Sequence, residues 1–193
     1  MELIFATHNQ NKVKEVAKML PSYLSMKSLT DIGFHDEIEE TGTTFEENAQ
    51  LKAQTIFEKT GKNIFADDSG LVIEALDGAP GVYSHRYAGT GLDKDNIAKA
   101  LKELEGKTNR NAYFISIFCL ILNKKEYFFE GRVYGTISTE VLGDNGFGYD
   151  PIFIPDGFSK SFAQMSAEEK NAISHRGKAV QELNIFLTNL TKV

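Results

Sequence analysis

The sequence predicts an α/β (α+β) fold, with helices flanking a mixed β-sheet. Three observations carry that prediction. Strand-like and helix-like apolar patterns alternate through the N-terminal third. Two long β segments follow mid-chain. One of them, Ala112 to Leu122, is apolar almost throughout, as a strand covered on both faces is. The chain has 193 residues, about what one domain holds. No repeat, linker or low-complexity segment divides it, so a single domain over 1–193 is expected.

The elements follow in order. Leu3-Ile4-Phe5-Ala6 reads as a buried strand and Thr7 to Asn11 as a polar turn. Val13, Val16, Ala17 and Leu20 recur at helical spacing, and Pro21 closes that helix. Tyr23 to Leu29 reads as a second strand. Asp31 to Thr43 is an acidic loop punctuated by Gly33 and Gly42. Thr44-Phe45-Glu46-Glu47 is a capping box opening a helix whose apolar face is Phe45, Ala49, Ala53, Ile56 and Phe57. Gly61 stops it. A strand from Asn63 then runs into Asp67-Asp68 and is expected to end there. Leu71 to Ala75 is a further apolar stretch, and Asp77 to Gly81 has strong turn chemistry. A helix from Asp93 to Leu104 turns Ile97, Leu101 and Leu104 inward. Asn123-Lys124-Lys125 reads as a hairpin turn from the Ala112–Leu122 strand into Glu126 to Ser138. Gly143, Gly146 and Gly148 crowd the next loop. A second capping box, Ser166 to Glu169, opens a short helix. The last helix follows Ser174, with Ala179, Leu183, Phe186, Leu187 and Leu190 on one face.

Composition narrows the function. The chain is 41% hydrophobic, with 14 Phe and no Trp. The single Cys119 excludes an internal disulfide framework and a cysteine-based zinc site, and its apolar neighbours suggest a buried thiol. The N-terminus lacks a signal-peptide pattern and no stretch approaches membrane-spanning length, so a cytoplasmic protein is expected, with no membrane partner. A formal charge of −6 argues against a large nucleic-acid surface. A small anionic substrate would need a local cluster of cations, or a metal.

Several stretches offer such chemistry. Thr7 to Lys12, THNQNK, joins a buried strand to a helix, where free N–H groups and a positive helix end suit phosphate; an ordinary capped turn would look the same. The Glu39-Glu40-Thr41-Gly42 loop reads equally as a solvated acidic loop or as a source of metal ligands. Asn48 and Lys52 share a helix face. Asp67 and Asp68 need compensation for their charge, and a divalent metal would supply it while leaving one carboxylate to activate water; an Asx turn is the plainer alternative. In GFGYDP, Gly146 to Pro151, a flat ring would stack on Phe147. Lys170, His175 and Arg176 crowd cations near a helix start, against the helix dipole, which a bound anion would relieve.

In order, THNQNK, EETGTTFEENAQLKA, ADDSGLVIEALDGAPGVYSHRYAG, GFGYDPIF and EEKNAISHRGKA resemble the blocks of the inosine triphosphate pyrophosphatase family, over essentially the whole chain. Two departures stand out: His8, where the family often has Gly or Ser, and Gln164, where it often has Glu. The resemblance implies an elongated two-lobed fold with a long central mixed sheet, an active site in the cleft between lobes, and a homodimer. It implies hydrolysis of ITP, dITP and XTP to the monophosphate and pyrophosphate, with Mg²⁺ as cofactor. Carried over, Thr7, His8, Asn9, Gln10, Asn11 and Lys12 cradle the phosphates and Lys52 adds charge. Glu40 and Asp68 hold Mg²⁺, Asp68 also accepts the proton of the attacking water, and Asp67 supports them. Ser69 contacts substrate. Phe147, Gly148, Tyr149 and Asp150 surround base and sugar, and Lys170, His175 and Arg176 complete the pocket. Donors facing position 6 of the base, such as Arg176 or a backbone N–H, would favour hypoxanthine and xanthine over adenine.

Three other readings compete. A related pyrophosphatase would act on modified pyrimidine or standard deoxynucleotides. A regulatory module would bind nucleotide without hydrolysis, but Lys12, Glu40, Asp67 and Asp68 are all present. An RNA-binding domain conflicts with the negative charge.

Overall fold

A computed structural model describes residues 1–190. Six strands form one sheet in the order β2-β1-β3-β4-β5-β6: β1 (Glu2–Phe5), β2 (Ser25–Ser28), β3 (Ile64–Ile73), β4 (Asn111–Leu122), β5 (Lys125–Ile137) and β6 (Phe153–Pro155). The helices are α1 (Gln10–Met19), α2 (Phe45–Thr60), α3 (Asp93–Glu103), α4 (Ala167–Ile173) and α5 (His175–Leu190). β1 runs parallel to β2 and β3, whereas β5 and β6 are antiparallel. The sheet is therefore mixed, as the sequence predicts.

The chain divides into two compact units. The first comprises Met1–Asp68, Ser116–Gly131 and the segment from Arg176 onward. Its core packs Leu3, Phe5, Val16, Phe65, Phe118 and Leu120 with Ala179, Val180, Leu183 and Leu187 of α5. Parallel register sets Phe5 opposite Phe65, and their rings stack at 4.5 Å. The second comprises Ser69–Ile115 and Arg132–His175. Its core joins Leu71, Ile73, Ile97, Ala100, Leu104, Phe114, Phe153 and Phe162. The chain crosses from one unit to the other four times, at Asp68/Ser69, Ile115/Ser116, Gly131/Arg132 and His175/Arg176.

Local signals act as the sequence suggests at most junctions. Thr44 and Glu47 form the capping box of α2, and Gly61 ends it in the left-handed conformation that glycine adopts without a Cβ penalty. Asn123 and Lys124 both have positive φ, the twist a two-residue hairpin loop needs, and Lys125 already belongs to β5. Cys119 is buried, and burial pushes its thiol up to about 12.

Four expectations are corrected. The strand carrying Asp67 and Asp68 continues to Ile73, because each carboxylate has its own cations. β2 is only Ser25–Ser28. Ala17 and Leu190 lie on exposed positions of their helices. Lys170 belongs to the last turn of α4, so it does not stand at the start of α5, and its charge there complements the helix dipole. Among the described residues, no helix is long and apolar enough to cross a membrane.

Candidate active site

Successive residues of a strand point to opposite faces, and this separates the two aspartates at the centre of β3. Asp67 faces α1 and α5. Lys12 Nζ donates to its Oδ1 at 3.0 Å and lies 3.0 Å from Oδ2. Arg176, at the start of α5, places NH2 3.5 Å from the same Oδ2 and donates from NH1 to Glu15 Oε2 at 2.6 Å. Asp68 faces α2. Asn48 donates to its Oδ2 at 3.2 Å, and Lys52 Nζ lies 3.4 Å from its Oδ1. Lys52 also donates to Glu40. The anions that relieve Arg176 at the helix start are thus the chain's own.

Charge is tightly held in this group. Asp67 is fully buried and Asp68 is 5% exposed. Burial pushes the Asp68 carboxyl above its ordinary value, although Lys52 and Lys12 oppose it. Burial also works against the Lys52 ammonium, but Asp68, Glu40 and Asp67 together hold its pKa up. The two directions differ in cause: burial comes first for Asp68, and the surrounding carboxylates prevail for Lys52. Lys12 is shifted down, chiefly by burial, with Asp67 opposing the shift.

The phosphate-loop candidates divide. Asn9 caps α1, its Oδ1 accepting from the Asn11 and Lys12 N–H groups at 3.0 and 3.2 Å, while Thr7 Oγ1 accepts from Asn9 N–H. The turn is a capped helix start, and Lys12 is the member brought to the aspartates. Gln10 and Asn11 are exposed in the first turn. His8 turns toward the acidic loop, where its Nε2 donates to the Asp36 carbonyl at 2.9 Å and its ring stacks on Phe34.

In the second unit, the glycine loop forms a separate group. Asp150, 2% exposed, accepts from Lys170 Nζ at 2.6 Å and from Phe147 N–H at 2.9 Å. Gly146 has φ +76, and a Cβ there would stand 2.0 Å from Asp150 Oδ2; only glycine lets the loop close on that carboxylate. Lys170 lies 4.9 Å above the Phe147 ring. Gly148 N–H donates to Asp93 at 2.7 Å. Tyr149 is buried, donating its hydroxyl to the Ser84 carbonyl at 2.8 Å, and burial pushes its pKa up. The His175 ring stacks on Phe114 at 4.6 Å, 10° from parallel. Ser69 is half-buried on β3.

Several residues in these groups, among them Asn48, Glu15, Phe114 and Asp93, received no role from sequence reasoning. Asn48 had a signal, its four-residue spacing from Lys52. Glu15 had a weaker one, its three-residue spacing from Lys12. Phe114 and Asp93 had none, because their partners, His175 and Gly148, are distant in sequence.

Glu40 and Asp68 both reach one ammonium, so both carboxylates converge on one cation-sized point. Mg²⁺ takes one or two carboxylates and completes its shell with phosphate oxygens and water, and this pair fits that pattern. Among the described residues, no group of three or more His, Cys, Asp or Glu is arranged to hold an ion, so the protein ligands alone make no closed cage.

Known proteins resemble the chain along its length. It is 50% identical over 190 residues to the dITP/XTP pyrophosphatase of Flavobacterium psychrophilum, covering 98% of this chain and 100% of that one. It is 49% identical over 191 residues to the dITP/XTP pyrophosphatase of Bacillus licheniformis, covering 96% and 97%. Among solved structures, a HAM1 protein from Coxiella burnetii superposes with a TM-score of 0.90 at 40% identity, covering 98% and 99%. The Ham1 protein of Staphylococcus aureus does so with a TM-score of 0.89 at 39% identity, with the same coverage. The sequence model of the Ham1 family matches residues 3–186, and the chain belongs to that family.

Proposed function

We propose that this protein hydrolyses non-standard purine nucleoside triphosphates, namely ITP, dITP and XTP, to the monophosphate and pyrophosphate, removing damaged purines from the nucleotide pool. The observation that carries the reading is the pair of β3 carboxylates, each turned to its own lysine. Full-length similarity to enzymes named dITP/XTP pyrophosphatase supports the substrate class.

In this reading, Lys12 and Lys52 take the polyphosphate, with Lys52 exchanging Glu40 and Asp68 for phosphate oxygens. Asp68 receives the proton of a water that attacks the α-phosphorus, and the bond from that phosphorus to the β-bridging oxygen breaks. Burial raises the basicity of Asp68 above that of a solvated carboxylate, toward what a general base needs. Glu40 and Asp68 would hold Mg²⁺, which when bound draws charge from the phosphate oxygens and stabilises the leaving pyrophosphate. The remaining catalysis is positioning and charge stabilisation. Phe147 offers a face for the purine, with Lys170 and Asp150 beside it as polar groups. A homodimer and a cytoplasmic setting belong to the same proposal, supported by the family resemblance, and sedimentation would check the first.

Product analysis tests the function. Purified protein is incubated with ITP, XTP, GTP and ATP, with and without Mg²⁺, and pyrophosphate and phosphate are assayed separately. The expected result is Mg²⁺-dependent pyrophosphate from ITP and XTP, with little from GTP or ATP. Release of free phosphate would mean that a different bond is cut and that Asp68 is misassigned.

A further inference from the structure

We propose that Glu15 is a positioning residue: it anchors Arg176, leaving Asp67 to hold the Lys12 ammonium where a phosphate oxygen can meet it. The proposal rests on the reading of Lys12 as a phosphate-binding cation. Lys12 and Glu15 are three residues apart on α1 and so project from one side of it. Between them the charges alternate through two other elements: Lys12 to Asp67 on β3, Asp67 to Arg176 on α5, Arg176 back to Glu15.

The distances rank the contacts. Arg176 is closer to Glu15, at 2.6 Å, than to Asp67, at 3.5 Å. Lys12 stands 3.0 Å from both Asp67 oxygens. An ammonium has three N–H donors; Lys12 gives one to Asp67 Oδ1, which leaves donor capacity for a phosphate. The side chains of Asp67, Arg176, Lys12 and Glu15 are 0, 3, 14 and 17% exposed, so water screens them little and each carboxylate's commitment is felt by the next charge. Without the Glu15 charge, the guanidinium keeps Asp67 Oδ2 within 3.5 Å and competes for that oxygen, which it already shares with Lys12. Arginine wins such a contest through its planar fork of donors. Lys12 then loses part of its hold, in a site where burial already disfavours its charged form.

The test uses the full chain and the isosteric Glu15→Gln, beside Glu15→Ala. Inorganic tripolyphosphate, which has no base, and inosine, which has no phosphate, are titrated calorimetrically into each protein with Mg²⁺ present. In parallel, the Lys12 Nζ resonance is followed by NMR in protein labelled with ¹⁵N-lysine, identified by its loss in Lys12→Arg. The expected result is a tripolyphosphate affinity lower by about tenfold, the scale of one charge-assisted hydrogen bond, an unchanged inosine affinity and a moved Lys12 resonance. Unchanged tripolyphosphate binding with an unmoved resonance in folded Glu15→Gln overturns the proposal. Loss of inosine affinity alone, or of both affinities equally, also overturns it, making Arg176 a base contact. A parent protein that binds neither probe counts against the functional reading, and the Lys12 resonance then decides the positioning role by itself.

Discussion

Lys52→Met removes the ammonium that Glu40 and Asp68 share while keeping a side chain of similar length. At 3.4 Å and an effective dielectric of about 20, the Lys52–Asp68 attraction is about 5 kcal/mol. The burial penalty of the ammonium disappears with it, so the net loss is smaller; removing one partner of a buried pair costs about 3–5 kcal/mol. Protonation of Asp68 sets a ceiling. Neutralising a carboxyl of ordinary pKa 3.8 at pH 7 costs about 4 kcal/mol. Glu40 adds little, because its side chain is 25% exposed. The expected loss at pH 7 is therefore about 3–4 kcal/mol, read by urea unfolding. Millimolar Mg²⁺ should restore more stability to the variant than it adds to the parent. Lowering the pH should also shrink the difference. The folded pKa of Asp68 lies above its unfolded value, so its contribution is fully present below about pH 3.8 and lost as pH rises through the folded pKa; loss of Lys52 widens that window. A variant within about 0.5 kcal/mol of the parent, or equal stabilisation of both by Mg²⁺, would refute the shared-cation argument.

Three further outcomes are expected. Asp68→Asn keeps the side-chain shape but removes the base, so ITP turnover should fall by about 10²–10⁴-fold, with urea unfolding run in parallel because Lys52 loses the carboxylate that most offsets its burial; turnover within a few-fold of the parent would remove Asp68 from the proton transfer. In the parent, the acid limb of kcat/KM should lie above the ordinary carboxylate value, because burial raises Asp68, and should move to lower pH as Mg²⁺ is raised; a limb insensitive to Mg²⁺ would separate the titrating group from the metal. Gly146→Ala forces a Cβ onto the Asp150 carboxylate in a left-handed backbone, so stability should drop by about 1 kcal/mol or more and KM for ITP should rise more than kcat falls, as steady-state kinetics would show.

Much of the architecture is legible in local sequence because local forces set it. The Thr44–Glu47 capping box, the Gly61 stop and the apolar run of β4 each act within a few residues. The course of β3 is different. Asp67-Asp68 reads as the end of a strand, since adjacent charges in a sheet need compensation. That compensation comes from Lys12 on α1, Arg176 on α5 and Asn48 and Lys52 on α2, which no local pattern reveals. Likewise, THNQNK announces a strand–helix junction, but its spacing does not say that Asn9 would cap the helix, His8 turn toward Asp36 and Lys12 alone reach the carboxylates.

By itself, then, the sequence determined the mixed α/β class, the helix boundaries, the family and the set of charged residues from which a site is made. Tertiary structure decided their pairing. Alternation along β3 sends two neighbouring carboxylates to opposite faces, where each meets cations on different helices, and this turns an apparent repulsion into two buried ion-paired groups. Side-chain direction along a strand is fixed by the backbone pleat, but which helix covers each face is set only when distant segments pack. Glu15 shows the same limit: an unremarkable helix residue in sequence, it gains a partner only because α5 brings Arg176 against α1.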